Sequence, residues 1–357
     1  KNKIKMKNII SFALLVMLLS GCNKDHLTTP KLDITHPAGY VVNGETNSLS
    51  VIDLTDNTIV HEIKLGEADH SGGHSSSFTF PHHISINKAK TKLAIGVPNM
   101  DLSAGHGVGH SGTEKGNIVV VDVRTGEIVK VLDLPKPNHN AIFSPDDSEI
   151  WTSQMEMAGK VLVYDANTYA LKNTISVGMM PAEVTFSYDG KTAFVCNGDD
   201  NTVSAIDVAT KTVTKTIAVG ANPVGAWTGA DNRNYVDNED GKSVSIIDQN
   251  LNVVSTIDLG FTPDYVAYIP INQEVWVTSG TENKIFVYQL QSGTYTKTNE
   301  IGMNAGTHAI AFSQDYKTAY ITNQKSASVT VFNVATKNKI KDLVVGQAGS
   351  QRRTTLQ

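Results

Sequence analysis

The chain is poor in cysteine, in aromatic residues and in charge. Cys22 and Cys196 are its only two cysteines in 357 residues, which excludes a disulfide framework. With no Cys-x-x-Cys-His stretch, covalent attachment of c-type haem is excluded as well. Charged residues make up 18% and aromatics 7%, the composition of an ordinary folded chain, neither disordered nor membrane-embedded throughout. The formal net charge is −5, and it becomes more negative once Lys1, Lys3, Lys5 and Lys7 are set aside. Binding to a phosphate backbone needs the opposite sign, so nucleic acid is excluded as a partner. Long apolar runs are also scarce. The one from Ile9 to Leu19 follows those lysines, is too short for a comfortable membrane span and reads as a secretion signal.

What the chain has in abundance is one short pattern. An apolar, β-branched strand closing in Asp or an amide occurs seven times: NSLSVID, GNIVVVD, KVLVYD, NTVSAID, KSVSIID, NKIFVYQ and SASVTVFN. The closing residues are Asp53, Asp122, Asp165, Asp207, Asp248, Gln289 and Asn333, at intervals of 69, 43, 42, 41, 41 and 44 residues. A period near 40 in β-type sequence predicts an all-β, seven-bladed propeller of four-stranded antiparallel blades. Length alone favours two domains, but a blade cannot bury both its faces without neighbours, so a single ring is expected. The long first interval places an insertion in blade two.

Blade four is the plainest copy, with strand A at Ala182–Ser187, B at Thr192–Cys196, C at Thr202–Asp207 and D at Thr212–Val219, an Asp189-Gly190 turn joining A to B. Its order of Val-Gly, Pro, Phe-Ser-x-Asp-Gly-Lys, Val-x-Asn and Val-Ser-x-Ile-Asp resembles the YVTN-type β-propeller repeat. The resemblance runs over residues 39–346 and implies the fold but no one activity. Leu19-Ser20-Gly21-Cys22 resembles the lipobox of bacterial lipoproteins. That resemblance implies cleavage after residue 21, acylation of Cys22 and a lipid-anchored protein of the cell envelope, facing the periplasm or the cell surface. Residues 1–22 are then the signal and 23–38, with Pro30 and Pro37, a flexible tether. Blade one begins at its strand B, Gly39–Asn43, so the C-terminal segment must supply its strand A. Residues 347–357 put Arg352 and Arg353 where an apolar strand belongs, which predicts an atypical or truncated closing segment and an imperfect blade one, either three-stranded or with Gln351–Leu356 poorly packed beside it.

The repeated Asp reads as structural, each side chain accepting backbone N–H groups of the following turn. Cys196 reads as a small buried hydrophobe. Function is expected where the repeat is broken. The alternation of strand directions puts the D–A loops, the B–C loops and the start of each strand A on one face. His70 and His74 fall there in the first D–A loop, and His106 and His110 in the blade-two insertion. Gly-rich surroundings make those tracts lids or secondary metal sites. His82, His83, His139 and His308 open strands A. Counted from the strand-A register, His82, His139 and His308 share one repeat position at the channel mouth, held by Asp264 in blade six and Ala182 in blade four. Met100, Met155, Met157, Met179, Met180 and Met303 lie in loops of the same face.

Imidazole and thioether donors together point to a transition metal, with copper ahead of zinc, on His82, His139 and His308, with His83 and Asp264 as helpers. Non-covalent haem with His or Met axial ligands is compatible. In fold and histidine placement the arrangement resembles nitrous oxide reductase, which holds a copper cluster, and dissimilatory nitrite reductase, which holds haem. The sequence contains no separate electron-transfer domain of the kind such enzymes use, and this favours metal binding or delivery over catalysis by a monomer. Two alternatives stay open: an interaction module for an envelope protein or glycan, and a lactonase-like hydrolase with Glu183, Asp264 or a metal-bound water as base. For the anchor, Cys22→Ser is expected to move the protein from the membrane fraction to the soluble one, or to leave the precursor uncleaved. Wild-type protein that carries no lipid by mass spectrometry would refute the anchor.

Overall fold

The computed structural model describes residues 32–65, 79–102 and 114–346, and the backbone of the strand Thr354–Leu356. The signal run, Cys22, His70, His74, His106 and His110 lie outside the described residues. The compact unit Asp33–Gln357 is a seven-bladed propeller in which every blade is a four-stranded antiparallel sheet. Among the described residues the helical content is one 3-10 turn, Gln324–Ser326, and no helix is long and apolar enough to cross a membrane.

Blade four matches its expected layout to within a residue at most strand ends: Pro181–Phe186, Thr192–Asn197, Thr202–Asp207 and Thr212–Ala218. Strands B and C are apolar and buried along most of their length, whereas strand D, the outer edge, is exposed at all but one position. That burial follows from packing between blades. Trp151, Val161 and Val163 of blade three share one cluster with Val184, Val195 and Ile206 of blade four. Phe194 and Cys196 of blade four share another with Ala226, Val236 and Ile247 of blade five. Cys196 is a buried free thiol, and burial holds it in the protonated form.

Of the two forms expected of blade one, the three-stranded one is not found, since a short fourth strand is present. Thr354–Leu356 pairs antiparallel with Ala38–Asn43, Val41 opposite Leu356 and Asn43 opposite Thr354, so the ring closes through a short strand of three residues. Residues 33 and 34, inside the stretch expected as a tether, are held to the ring. Asp33 pairs with Arg124, the Ile34 N–H donates to the Arg124 carbonyl at 2.8 Å, and both contacts dock this segment on the C–D turn of blade two.

The repeated Asp does close the C–D turns. Asp122 accepts from the N–H groups of Arg124 and Thr125, Asp165 from Asn167 and Thr168, and Asp207 from Thr210. A second repeated device ties strand B to strand C: Asn43, Asn197, Asn238 and Asn323 each donate an amide to two hydroxyls of the facing strand C.

Two staples join neighbouring blades. Glu149 in blade three accepts from Trp151 Nε1 at 3.0 Å and from Lys172 at 2.9 Å, and pairs with Lys211 of blade four at 2.8 Å. Glu274 in blade six repeats this with Trp276 at 2.8 Å and Lys337 of blade seven at 2.8 Å. Burial raises the Glu149 pKa, but hydrogen bonds from Lys211, Lys172 and Trp151 outweigh it and leave the carboxyl below its ordinary value. Its stabilising contribution is therefore complete above that ordinary value and is lost as pH falls through the depressed one. Glu149→Gln is expected to lower unfolding stability by about 2 kcal/mol at neutral pH and by less in acid, read as denaturant midpoints at both pH values.

Candidate metal centre

The first residues of strand A approach the axis because the ladder is irregular there. Register shifts fall between Pro181 and Val184, between Pro223 and Ala226, and between Thr307 and Ile310. Such bulges re-aim the side chains they carry, here Ala182-Glu183, Val224-Gly225 and His308-Ala309. In blade two the regular strand starts only at Ile84. His82 and His83 are held ahead of it by hydrogen bonds between the His82 N–H and the Gly96 carbonyl, at 2.8 Å, and between the Gly96 N–H and the His83 carbonyl, at 2.9 Å. Gly96 has to lack a side chain: a Cβ there would sit 2.7 Å from Asn140 Cα and 2.9 Å from the His139 carbonyl oxygen. This close approach brings the histidines of blades two and three together.

The result is a buried cluster. His82 Nε2 lies 3.1 Å from His139 Nε2, and the rings of His82 and His83 are 4.2 Å apart and nearly perpendicular. His82, His83 and His139 each offer a ligand atom within 4.8 Å of the others. Behind them stands Glu183, 1% exposed, whose Oε1 is 2.6 Å from His139 Nδ1 and 3.0 Å from His83 Nδ1. Burial pushes this carboxyl well above the usual carboxylate range, against a lowering hydrogen bond from Asn140. With this one carboxyl oxygen accepting from both Nδ1 groups, the two rings carry their protons on Nδ1 and turn their Nε2 lone pairs outward, the arrangement of metal sites whose histidines are backed by carboxylates.

The spacing also suits an ion. Two nitrogens each about 2.0–2.1 Å from a shared ion lie about 2.9 Å apart at a right angle and about 3.3 Å apart at the tetrahedral angle. The 3.1 Å between the His82 and His139 nitrogens falls between these limits.

Of the residues expected at the site, the structure draws His82, His83 and His139 together most closely. His83 joins the closest three, whereas His308, on blade seven and farther round the ring, stands with its ring 5.9 Å from that of His83 and 6.4 Å from that of His82. Asp264 instead accepts the Gly280 N–H at 2.6 Å and so shapes the B–C loop of blade six. The methionines are dispersed as well: Met303 packs on the core between blades six and seven, Met155 is buried and Met157 is 62% exposed. Met100 is half-buried. Met179 and Met180 are tied into the loop before blade four, their N–H groups donating to Asp200 and to the Glu156 carbonyl.

Residues 99–308, more than half of the chain, match the model of the Choice-of-anchor I domain. The chain belongs to that family. A stretch of 98 residues, 27% of the chain, is 32% identical to the uncharacterized protein YncE of Salmonella typhimurium and 31% identical to that of Salmonella typhi. It spans 27% of the length of these curated relatives. Among solved structures, a functionally unknown protein from Desulfotomaculum acetoxidans is similar with a TM-score of 0.68 at 15% identity, over 89% of this chain and 98% of that one. The periplasmic gluconolactonase of Pseudomonas aeruginosa gives 0.65 at 15%, over 89% and 98%. Hydrazine synthase of Kuenenia stuttgartiensis gives 0.62 at 16%, over 79% and 91%. At these identities the likeness shows the fold alone.

In this Choice-of-anchor I propeller, sequence reasoning missed the part played by Glu183 as the partner of two imidazoles. A signal was present: one position after the aligned histidine site, the chain reads His83, Asn140, Glu183, Gly225, Tyr265 and Ala309, a polar and irregular set inside otherwise apolar strands. Trp227 and Asp237 were missed too. The indole of Trp227 donates to Asp237 Oδ1 at 2.6 Å, stands 6.2 Å from the His83 ring and lies against Tyr265, tilted by 35° with the rings 3.8 Å apart. Asp237 is fully buried, and burial, with Glu239 nearby, raises its pKa well above the carboxylate range. In metal-free protein, nitrogen-15 NMR is expected to show His83 and His139 as Nδ1–H tautomers and His82 as the Nε2–H donor between them. Glu183→Ala should release the first two from that state, and unchanged tautomers in the variant would refute the role of Glu183.

Proposed function

We propose that this propeller binds a late first-row transition-metal ion at the axial mouth, through His82, His83 and His139, with Glu183 orienting two of the three rings. The observation that carries the reading is the pair of Nε2 atoms 3.1 Å apart, with the Nδ1 atoms of His139 and His83 on one buried carboxyl oxygen. Three neutral imidazoles form a borderline donor set that suits copper and zinc, and copper stands ahead of zinc in the general order of affinities. In the same reading the protein is anchored at Cys22 in the cell envelope, where it holds or delivers the ion.

A second reading has its own support. Three protein ligands leave a coordination position for water, as hydrolytic metal sites do, and a gluconolactonase is among the structures of similar fold. Here the metal would supply a water of lowered pKa, while Glu183 keeps the rings aligned and the buried surroundings limit water. Hydrolysis of a sugar lactone that is lost on chelation favours this reading, and its absence from metal-loaded protein excludes it.

Elemental analysis and isothermal titration with Cu(II) and Zn(II) test the main proposal. Wild type is expected to take up one ion per chain. Glu183→Gln should weaken binding about tenfold to a hundredfold, and the His82→Ala, His139→Ala double variant should lose it while keeping its thermal unfolding profile. Equal affinity in wild type and double variant overturns the site and leaves a protein- or glycan-interaction module as the better account of this face.

A further inference from the structure

The cluster does not fill the axial region alone. On blades five and six its neighbours are Trp227 and Tyr265, both half-buried, and three features fix the indole in place. Gly225 makes room for it, since a Cβ there would come 2.4 Å from the Trp227 ring. Asp237 holds its Nε1–H, and Tyr265 supports it at a ring separation of 3.8 Å. A rigid aromatic wall that costs no ordering on binding is the kind of surface that anchors the carbon part of a ligand.

The charge of the site specifies the other part of that ligand. Three neutral imidazoles and one Glu183 carboxyl cannot cancel a divalent ion, whichever state the carboxyl takes. With His82, His139 and Glu183 all at most 2% exposed, an uncompensated charge is costly. An anionic oxygen donor in the remaining coordination position removes it.

We propose that the axial site takes a small organic carboxylate, with one carboxylate oxygen on the ion and the carbon skeleton against Trp227 and Tyr265. The inference rests on the metal-binding reading above. It goes beyond that reading in naming the chemical class of the ligand and the two residues that select it.

The test uses Cu(II)-loaded full-length protein titrated with benzoate, acetate and azide. Binding is followed by the electron paramagnetic resonance and visible bands of the ion and by tryptophan fluorescence. Benzoate is expected to bind about threefold to tenfold more tightly than acetate, the worth of one aromatic contact. Trp227→Leu and Tyr265→Leu, each checked for intact folding by thermal unfolding, should remove that preference while leaving azide affinity unchanged. Equal affinities for benzoate and acetate in wild type, or a preference that survives both substitutions, overturns the carboxylate inference and leaves the metal site standing. Failure of wild type to take up Cu(II) overturns both.

Discussion

Each blade of this propeller presents two apolar faces and can cover neither by itself. Strands such as Thr192–Asn197 and Ser243–Ile247 are buried along nearly their whole length, so their side chains must be received by the adjoining blades. The core is accordingly a series of clusters, each shared by two neighbours. Everything else is placed by that requirement. The ring has to close, even through three residues at Thr354–Leu356, and seven strands A have to converge on one axis, where side chains from different blades come within contact distance.

Convergence is what makes a site possible here. His82 and His83 come from blade two, His139 from blade three and Glu183 from blade four, and no pair of neighbouring blades would assemble them alone. The same inner strands also fasten the ring: Asn140 exchanges two hydrogen bonds with the Val184 backbone, and Ser85 donates to the Ala141 carbonyl. The residues that could hold an ion are thus carried by segments whose own positions are fixed from both sides, and this limits how far the nitrogens can drift from a ligating arrangement.

The fold was legible because its cause is periodic. One β-branched strand ending in Asp, written seven times, carries the blade count, the strand order and the turn chemistry of Asp122, Asp165 and Asp207. The site was legible in part. Its face and two of its three histidines, His82 and His139, follow from counting along strand A. The choice of His83 over His308 does not, because it depends on distances around the ring that no single repeat encodes. The roles of Glu183 and Trp227 were harder to read for a related reason: each acts across a blade boundary, Glu183 on His139 and His83 and Trp227 beside His83 and Tyr265, and the odd residues after the aligned histidine position mark where to look without naming the partner. The methionines could not be sorted from sequence because a loop residue and a ligand look alike there, whereas in the structure Met303 packs against the core between two blades.

The two faces of the ring are built to different rules. On one, most turns are closed by their own Asp or Asn side chain, so each is self-contained and leaves little room for added residues. On the other, the loops are held mainly by what neighbouring blades offer them, as Met179 is by Asp200 and Gly306 by Asn283. Lengthening such a loop disturbs no local closure, and the long first interval, from Asp53 to Asp122, takes its extra residues between Lys64 and Ile84 and between Val97 and Gly116, strand ends that belong to this second face. A scaffold divided in this way can change what it binds by drift and insertion on one side while its geometry is inherited from the other.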